Sequence, residues 1–103
     1  MKIVAVTSCA TGIAHTYMAA EALERAAKAA GHEVWIETQG AGGYKPLADD
    51  VISAADVVIF ANDVGIRDKD RFANSAIYQT TPKQAIKDAK GIVEAATQQV
   101  SGG

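Results

Sequence analysis

One cysteine, Cys9, stands between a β-branched run and a helix-like segment, and it is the residue of this chain best suited to nucleophilic chemistry. The residues after it, Ala10-Thr11-Gly12-Ile13-Ala14-His15-Thr16, read as a short turn entering a helix. A thiol at a helix N-terminus faces unpaired backbone N–H groups and the positive end of the helix dipole. Both favour thiolate, so the Cys9 pKa is expected to fall below the roughly 8.5 of a free cysteine. The same N–H groups suit phosphate oxygens, which makes the turn a phosphate cradle as well as a thiolate site. Gly12 lets the backbone curl around an anion, Thr11 and Thr16 offer hydroxyl donors, and His15 offers an imidazole N–H.

Other residues carry weaker signals. Gly40-Ala41-Gly42-Gly43 has the look of a phosphate loop, but no Lys-Ser/Thr follows it and the G-x-G-x-x-G spacing is missing. Arg67 and Arg71 read as surface charges near the carboxyl edge of the sheet, where they would steer an anion. Tyr17 and Met18 read as core, Trp35 as packing, and His32 as a solvated residue without a role. Asp63 is the nearest acid candidate, in a loop that the sequence does not place against Cys9. Two histidines and one cysteine at these spacings make no metal site, and no G-x-S-x-G elbow is present for a serine hydrolase.

Composition narrows the class. With 103 residues there is room for one domain, and 49% apolar with 21% charged residues is the balance of an ordinary globular protein. A net charge of -2 leaves no basic surface for a nucleic-acid backbone or a membrane surface. The apolar run Val57–Ala61 is far too short to cross a bilayer. The N-terminus lacks a signal-peptide pattern, and the lone cysteine, which can form no internal disulfide, suits a reducing cytoplasm.

The elements that must hold Cys9 follow from periodicity. Lys2–Ser8 is a continuous apolar run and predicts a buried strand. Ile13, Tyr17, Ala20, Leu23 or Glu24, Ala27 and Ala30 recur at helical spacing, and Gly31 is placed to cap that helix. His32–Thr38 alternates, with Val34 and Ile36 on one side and Glu33, Trp35 and Glu37 on the other, as an edge strand does. Pro46 opens a short helix to about Ser53, with Leu47, Val51 and Ile52 inward. Asp56–Ala61 is a strand buried on both faces, Asn62–Asp70 a polar loop, and Ala76–Gln79 a weaker strand. Thr81-Pro82-x-Gln84 forms a capping box, opening a last helix with Ile86, Ala89, Ile92 or Val93, Ala96 and Val100 inward. Residues 1–100 are expected to form the domain, and Ser101-Gly102-Gly103 a flexible tail or the start of a linker. This order predicts an α/β three-layer sandwich, Rossmann-like, with a four-stranded mostly parallel sheet in the order 2-1-3-4. A ligand then belongs at the carboxyl ends of the central strands.

From Cys9-Ala10-Thr11-Gly12-Ile13-Ala14-His15-Thr16 through Leu23, the sequence resembles the IIB component of the fructose-class sugar phosphotransferase system. Glu37-Thr38-Gln39-Gly40, the strand Ala55–Ala61 and Arg71-Phe72 extend the likeness over nearly the whole chain. The resemblance implies a cytoplasmic domain without cofactor. It accepts phosphoryl on Cys9 from a phosphohistidine IIA component and passes it to fructose or a related hexose bound by the membrane IIC component. The cradle it implies is Ala10–Thr16. Where the family's pattern has proline after the cysteine, this chain has Ala10, which frees φ and adds one N–H. Two alternatives share the sheet: a low-molecular-weight phosphatase, and a nucleotide- or flavin-binding module. The phosphatase needs a Cys-x5-Arg loop, and the sixth residue after Cys9 is His15.

Overall fold

The computed structural model describes residues 1–8, 13–39 and 46–101, with only the backbone of Ile13. Cys9, Ala10, Thr11 and Gly12, the glycine-rich segment 40–45 and the last two residues lie outside it.

Four strands form one sheet in the order β2-β1-β3-β4, and every pairing is parallel. They are β1 (Lys2–Ser8), β2 (Glu33–Gln39), β3 (Val57–Asn62) and β4 (Ile77–Thr80). The predicted order and fold class hold. In β1 every residue after Lys2 is buried, and in β3 Val57–Ala61 are. That is why both read as unbroken apolar runs: a central parallel strand has a core on each face.

Those two cores define the layers. On one face α1 (Ile13–Ala29) and α3 (Pro82–Ser101) pack side by side. Ala19, Leu23 and Ala27 from α1, and Ala85, Ile92, Val93 and Ala96 from α3, meet Ile3, Ala5, Val57, Ile59 and Ala61 of the sheet. On the other face α2 (Asp49–Ala54) and a 3-10 turn (Lys69–Phe72) supply Ile52 and Phe72, which pack on Val4, Val6, Val58 and Phe60. The Phe60 and Phe72 rings stand edge to face, with centroids 5.1 Å apart.

Local signals explain most element ends. Gly31 adopts φ 85°, its N–H donates to the Lys28 carbonyl, and the His32 N–H donates to the Ala27 carbonyl. That paired arrangement turns the chain from α1 into β2 and requires a residue at ease with positive φ. At the start of α3 the Gln84 N–H donates to the Thr81 hydroxyl at 3.2 Å, as the capping pattern predicts.

Two expectations are corrected. Tyr17 and Met18 are not core: they are 47% and 51% exposed, and the buried stripe of α1 runs through Thr16, Ala19, Ala20, Leu23 and Ala27. The sheet accepts small residues where α1 and α3 crowd together, so the large pair is turned outward. The helix expected from Pro46 begins only at Asp49, with Ala48 as its extended N-cap residue. The last helix is also not uniform. Asp88 leaves helical geometry at φ -149° and ψ 60°, and its side chain accepts the Gly91 N–H at 3.1 Å. Aspartate there restarts the helix as a cap would, and a Cβ at position 91 would collide with its carboxylate.

Candidate functional site

Open parallel sheets gather ligands at the carboxyl ends of strands where the crossovers diverge. Here that point lies between β1 and β3, because β1 leads to β2 on one side and pairs with β3 on the other. Ser8, the last residue of β1, is paired in register with Gln39 and with Asn62. Its carbonyl accepts the Asp63 N–H at 3.1 Å. Cys9 follows Ser8 in the chain, and four residues, Cys9–Gly12, join that strand to α1.

The two ends of this connection are tied together. The Thr7 hydroxyl donates to the Thr16 carbonyl at 3.1 Å, and both residues are buried. One bond thus fixes the distance from the end of β1 to the first turn of α1. Of the sequence-predicted cradle, Cys9, Ala10, Thr11 and Gly12 lie outside the described residues. Ile13 is the first residue of α1, Ala14 and His15 are exposed in its first turn, and Thr16 is buried toward the sheet. That turn contains no acidic residue, whereas α2 opens on Asp49 and Asp50. The positive end of the longer helix is therefore left uncompensated by its own side chains, which favours an anion there.

A second cluster lies beside this edge, and the sequence reading missed its core. Glu37 alternates to the same side as Trp35, as predicted, yet its side chain is fully buried. Among the described residues, its two oxygens accept four bonds. Oε1 takes Arg71 Nη1 at 2.8 Å and the Leu47 N–H at 2.8 Å; Oε2 takes Arg71 Nη2 at 2.9 Å and the Gln39 amide at 2.6 Å. Burial opposes the charge on Glu37, but the Arg71 hydrogen bonds, the Leu47 N–H and the Gln39 amide outweigh it and hold the carboxyl below its ordinary value. Arg71 is thus no loose surface charge: its guanidinium also donates from Nε to the Asp68 carbonyl at 2.9 Å and from Nη2 to the Arg67 carbonyl at 3.1 Å. It lies 4.8 Å over the Phe72 ring. Two signals were available: a charge spaced two residues after Trp35 on a packing face, and the place of Glu37–Gly40 and Arg71-Phe72 in the family likeness. The partner, 34 residues away, carries no local mark.

Trp35 packs on the second core as expected. His32 is half-buried, with Nδ1 3.0 Å from the N-terminal amine. Asp63 comes to the carboxyl edge through its backbone bond to Ser8. Among the described residues no three His, Cys, Asp or Glu side chains gather as metal ligands, and no helix is long and apolar enough to cross a membrane.

Comparison with known proteins places this architecture. The sequence model of the family described as PTS system, Lactose/Cellobiose specific IIB subunit matches residues 4–95. The chain is 50% identical over 93 residues to the PTS system fructose-like EIIB component 2 of Escherichia coli K12, covering 89% of this chain and 88% of that protein. It is 45% identical over 97 residues to the PTS system fructose-specific EIIB'BC component of Rhodobacter capsulatus, covering 93% of this chain but 17% of that larger protein. The solution structure of the Enzyme IIB subunit of the PTS system from Escherichia coli K12 superposes with a TM-score of 0.90 at 41% identity, covering 98% of this chain and 94% of the other. An arginine phosphatase shares the fold alone, with a TM-score of 0.54 at 14% identity. Family match, identity and fold agree: the chain belongs to the IIB family of the sugar phosphotransferase system, alongside its fructose-class components, and is a phosphotransferase domain.

Proposed function

We propose that the chain takes a phosphoryl group onto Cys9 from a phosphohistidine IIA component and gives it to fructose, or a related hexose, held by a membrane IIC component at the cytoplasmic side. The observation supporting this most is positional. Cys9 directly follows a central strand at the point where the crossovers diverge, and the next helix opens without an acidic residue in its first turn. In the charging step the Cys9 sulfur attacks phosphorus, an S–P bond forms, and the P–N bond breaks with its electron pair returning to the imidazole. The thiol proton ends on that imidazole, so no other reactant is consumed. Ala10–Thr16 form the cradle, with N–H groups at the helix start receiving the phosphoryl oxygens.

Fructose is the sugar in the names of relatives at 45–50% identity, although the matching family is described by lactose and cellobiose. Overall identity over nine-tenths of the chain is the stronger guide to acceptor class. Fused EIIB'BC relatives support a membrane C component as the acceptor's holder.

The test is a two-stage transfer. The chain is charged with a histidine-phosphorylated IIA protein of a fructose-class system, freed of donor, and given fructose with or without membranes containing the matching IIC component. Fructose phosphate is expected only with the membranes. Rapid formation from free hexose alone would show an acceptor site within this chain, and a chain that discharges to neither would refute the carrier reading.

A further inference from the structure

The fully buried carboxylate of Glu37 has more around it than a structural ion pair requires. Glu37 and Arg71 alone would satisfy each other through two parallel bonds. Gln39, only 1% exposed, adds a different kind of contact. Its amide carbonyl accepts the Arg67 N–H at 2.7 Å, and its NH2 lies 3.3 Å from the Arg67 carbonyl as well as 2.6 Å from Glu37 Oε2. One side chain thus holds a loop peptide by both its donor and its acceptor, as a neighbouring strand would. Arg71 holds the same loop by the carbonyls of Arg67 and Asp68, and Asp68 sits in the left-handed region at φ 50°.

That loop is the one leaving β3. It starts at Asn62, whose amide donates to the Val64 carbonyl at 2.6 Å, and at Asp63, whose N–H donates to Ser8. Ser8 is bracketed by Gln39 on one side and by Asn62 and Asp63 on the other. The residue that brackets Ser8 from β2 therefore also grips the far end of the segment that brackets it from β3.

We infer that Glu37, Gln39 and Arg71 are positioning residues for phosphoryl transfer, acting through the segment 63–68 that they hold against the edge where Cys9 follows Ser8. This rests on the Cys9 reading above. Transfer through a loose transition state depends on alignment of donor, phosphorus and acceptor, and a displacement of about 1 Å costs on the order of 100-fold in rate. Glu37 keeps Gln39 and Arg71 in place; Gln39 and Arg71 set the loop.

Single-turnover transfer from a histidine-phosphorylated IIA protein of a fructose-class system to the intact chain tests this. Gln39→Ala is expected to lower the rate at saturating donor by roughly 10- to 100-fold. The half-saturating donor concentration and the final extent of labelling stay near those of the unmodified chain. Arg71→Lys keeps a positive charge opposite Glu37 but loses the fork, and slows transfer in the same sense, so the test survives if Gln39→Ala fails to fold. Ile92→Val in the other core lowers the melting temperature and leaves the rate unchanged. Folded Gln39→Ala and Arg71→Lys chains that both transfer at the unmodified rate overturn the inference while the Cys9 reading stands. An unmodified chain that takes no phosphoryl group defeats both.

Discussion

Replacing Glu37 by alanine is expected to cost the fold about 3 kcal/mol, the low end for breaking a buried pair, because Arg71 keeps some contact with water. The variant takes from Arg71 its two bonds to a carboxylate and from the Leu47 N–H its acceptor on Glu37, and the Gln39 amide loses its 2.6 Å bond. For a domain of this size the melting temperature should drop by roughly 15 °C. The loss has a pH signature. With a carboxyl held below 4.5 in the folded chain, the unfolded chain takes up the proton first as acid is added. The contribution is whole above 4.5 and is lost as pH falls through the lower native value. Urea midpoints of the natural chain and Glu37→Gln, compared from pH 7 downward, should therefore converge below about pH 4.5. A gap that stays constant into acid would mean that the charge on Glu37 contributes nothing.

The chain alone is expected to turn over an aryl phosphate at least a thousandfold more slowly than the roughly 10 per second of a typical enzyme. A cysteine phosphatase clamps the equatorial oxygens with a guanidinium and protonates the leaving group with a placed acid. The clamp position carries His15, exposed in the first turn of α1. Arg71, beside that edge, is engaged with Glu37 and two loop carbonyls. Asp63 reaches the carboxyl edge, so an acid at that edge is not what the chain lacks. Missing is the arginine of a Cys-x5-Arg loop, since the sixth residue after Cys9 is His15. A carrier benefits from this, because water must not discharge the phosphocysteine before the sugar arrives. Sustained release of the aryl leaving group at an ordinary enzymatic rate would favour the phosphatase alternative.

How much could be read in advance follows from which forces are local. The central strands announced themselves because residues buried on both faces leave an unbroken apolar run, as in Val57–Ala61. Gly31 and Thr81 were legible because their hydrogen bonds close within five residues. The strand order followed from crossover handedness and from which strands lacked polar faces. Tyr17 and Met18 misled because helical spacing marks a stripe but not its width, and the alanine-lined contact with α3 decides which flank turns outward. The burial of Glu37 was not legible, because a glutamate on an edge strand is usually solvated. Only the fold brings Arg71, the Leu47 N–H and Gln39 to its two oxygens. The Asp88 restart in α3 was hidden because the apolar stripe continues across it. At the site, the sequence pointed to Cys9 through its place between strand and helix. The described geometry adds the Thr7–Thr16 tie and the bracketing of Ser8, and the Cys9–Gly12 turn lies outside the described residues.

The most direct test of the central claim is to find where the phosphoryl group goes. The chain is incubated with a histidine-phosphorylated IIA protein, digested, and its peptides are sequenced by mass. Cys9→Ala runs in parallel, since a serine at position 9 would itself offer an oxygen to phosphorylate. The account predicts one phosphoryl group per chain, on the peptide containing Cys9, and none on Cys9→Ala. A phosphoryl group on His15, or labelling that persists in Cys9→Ala, would contradict it.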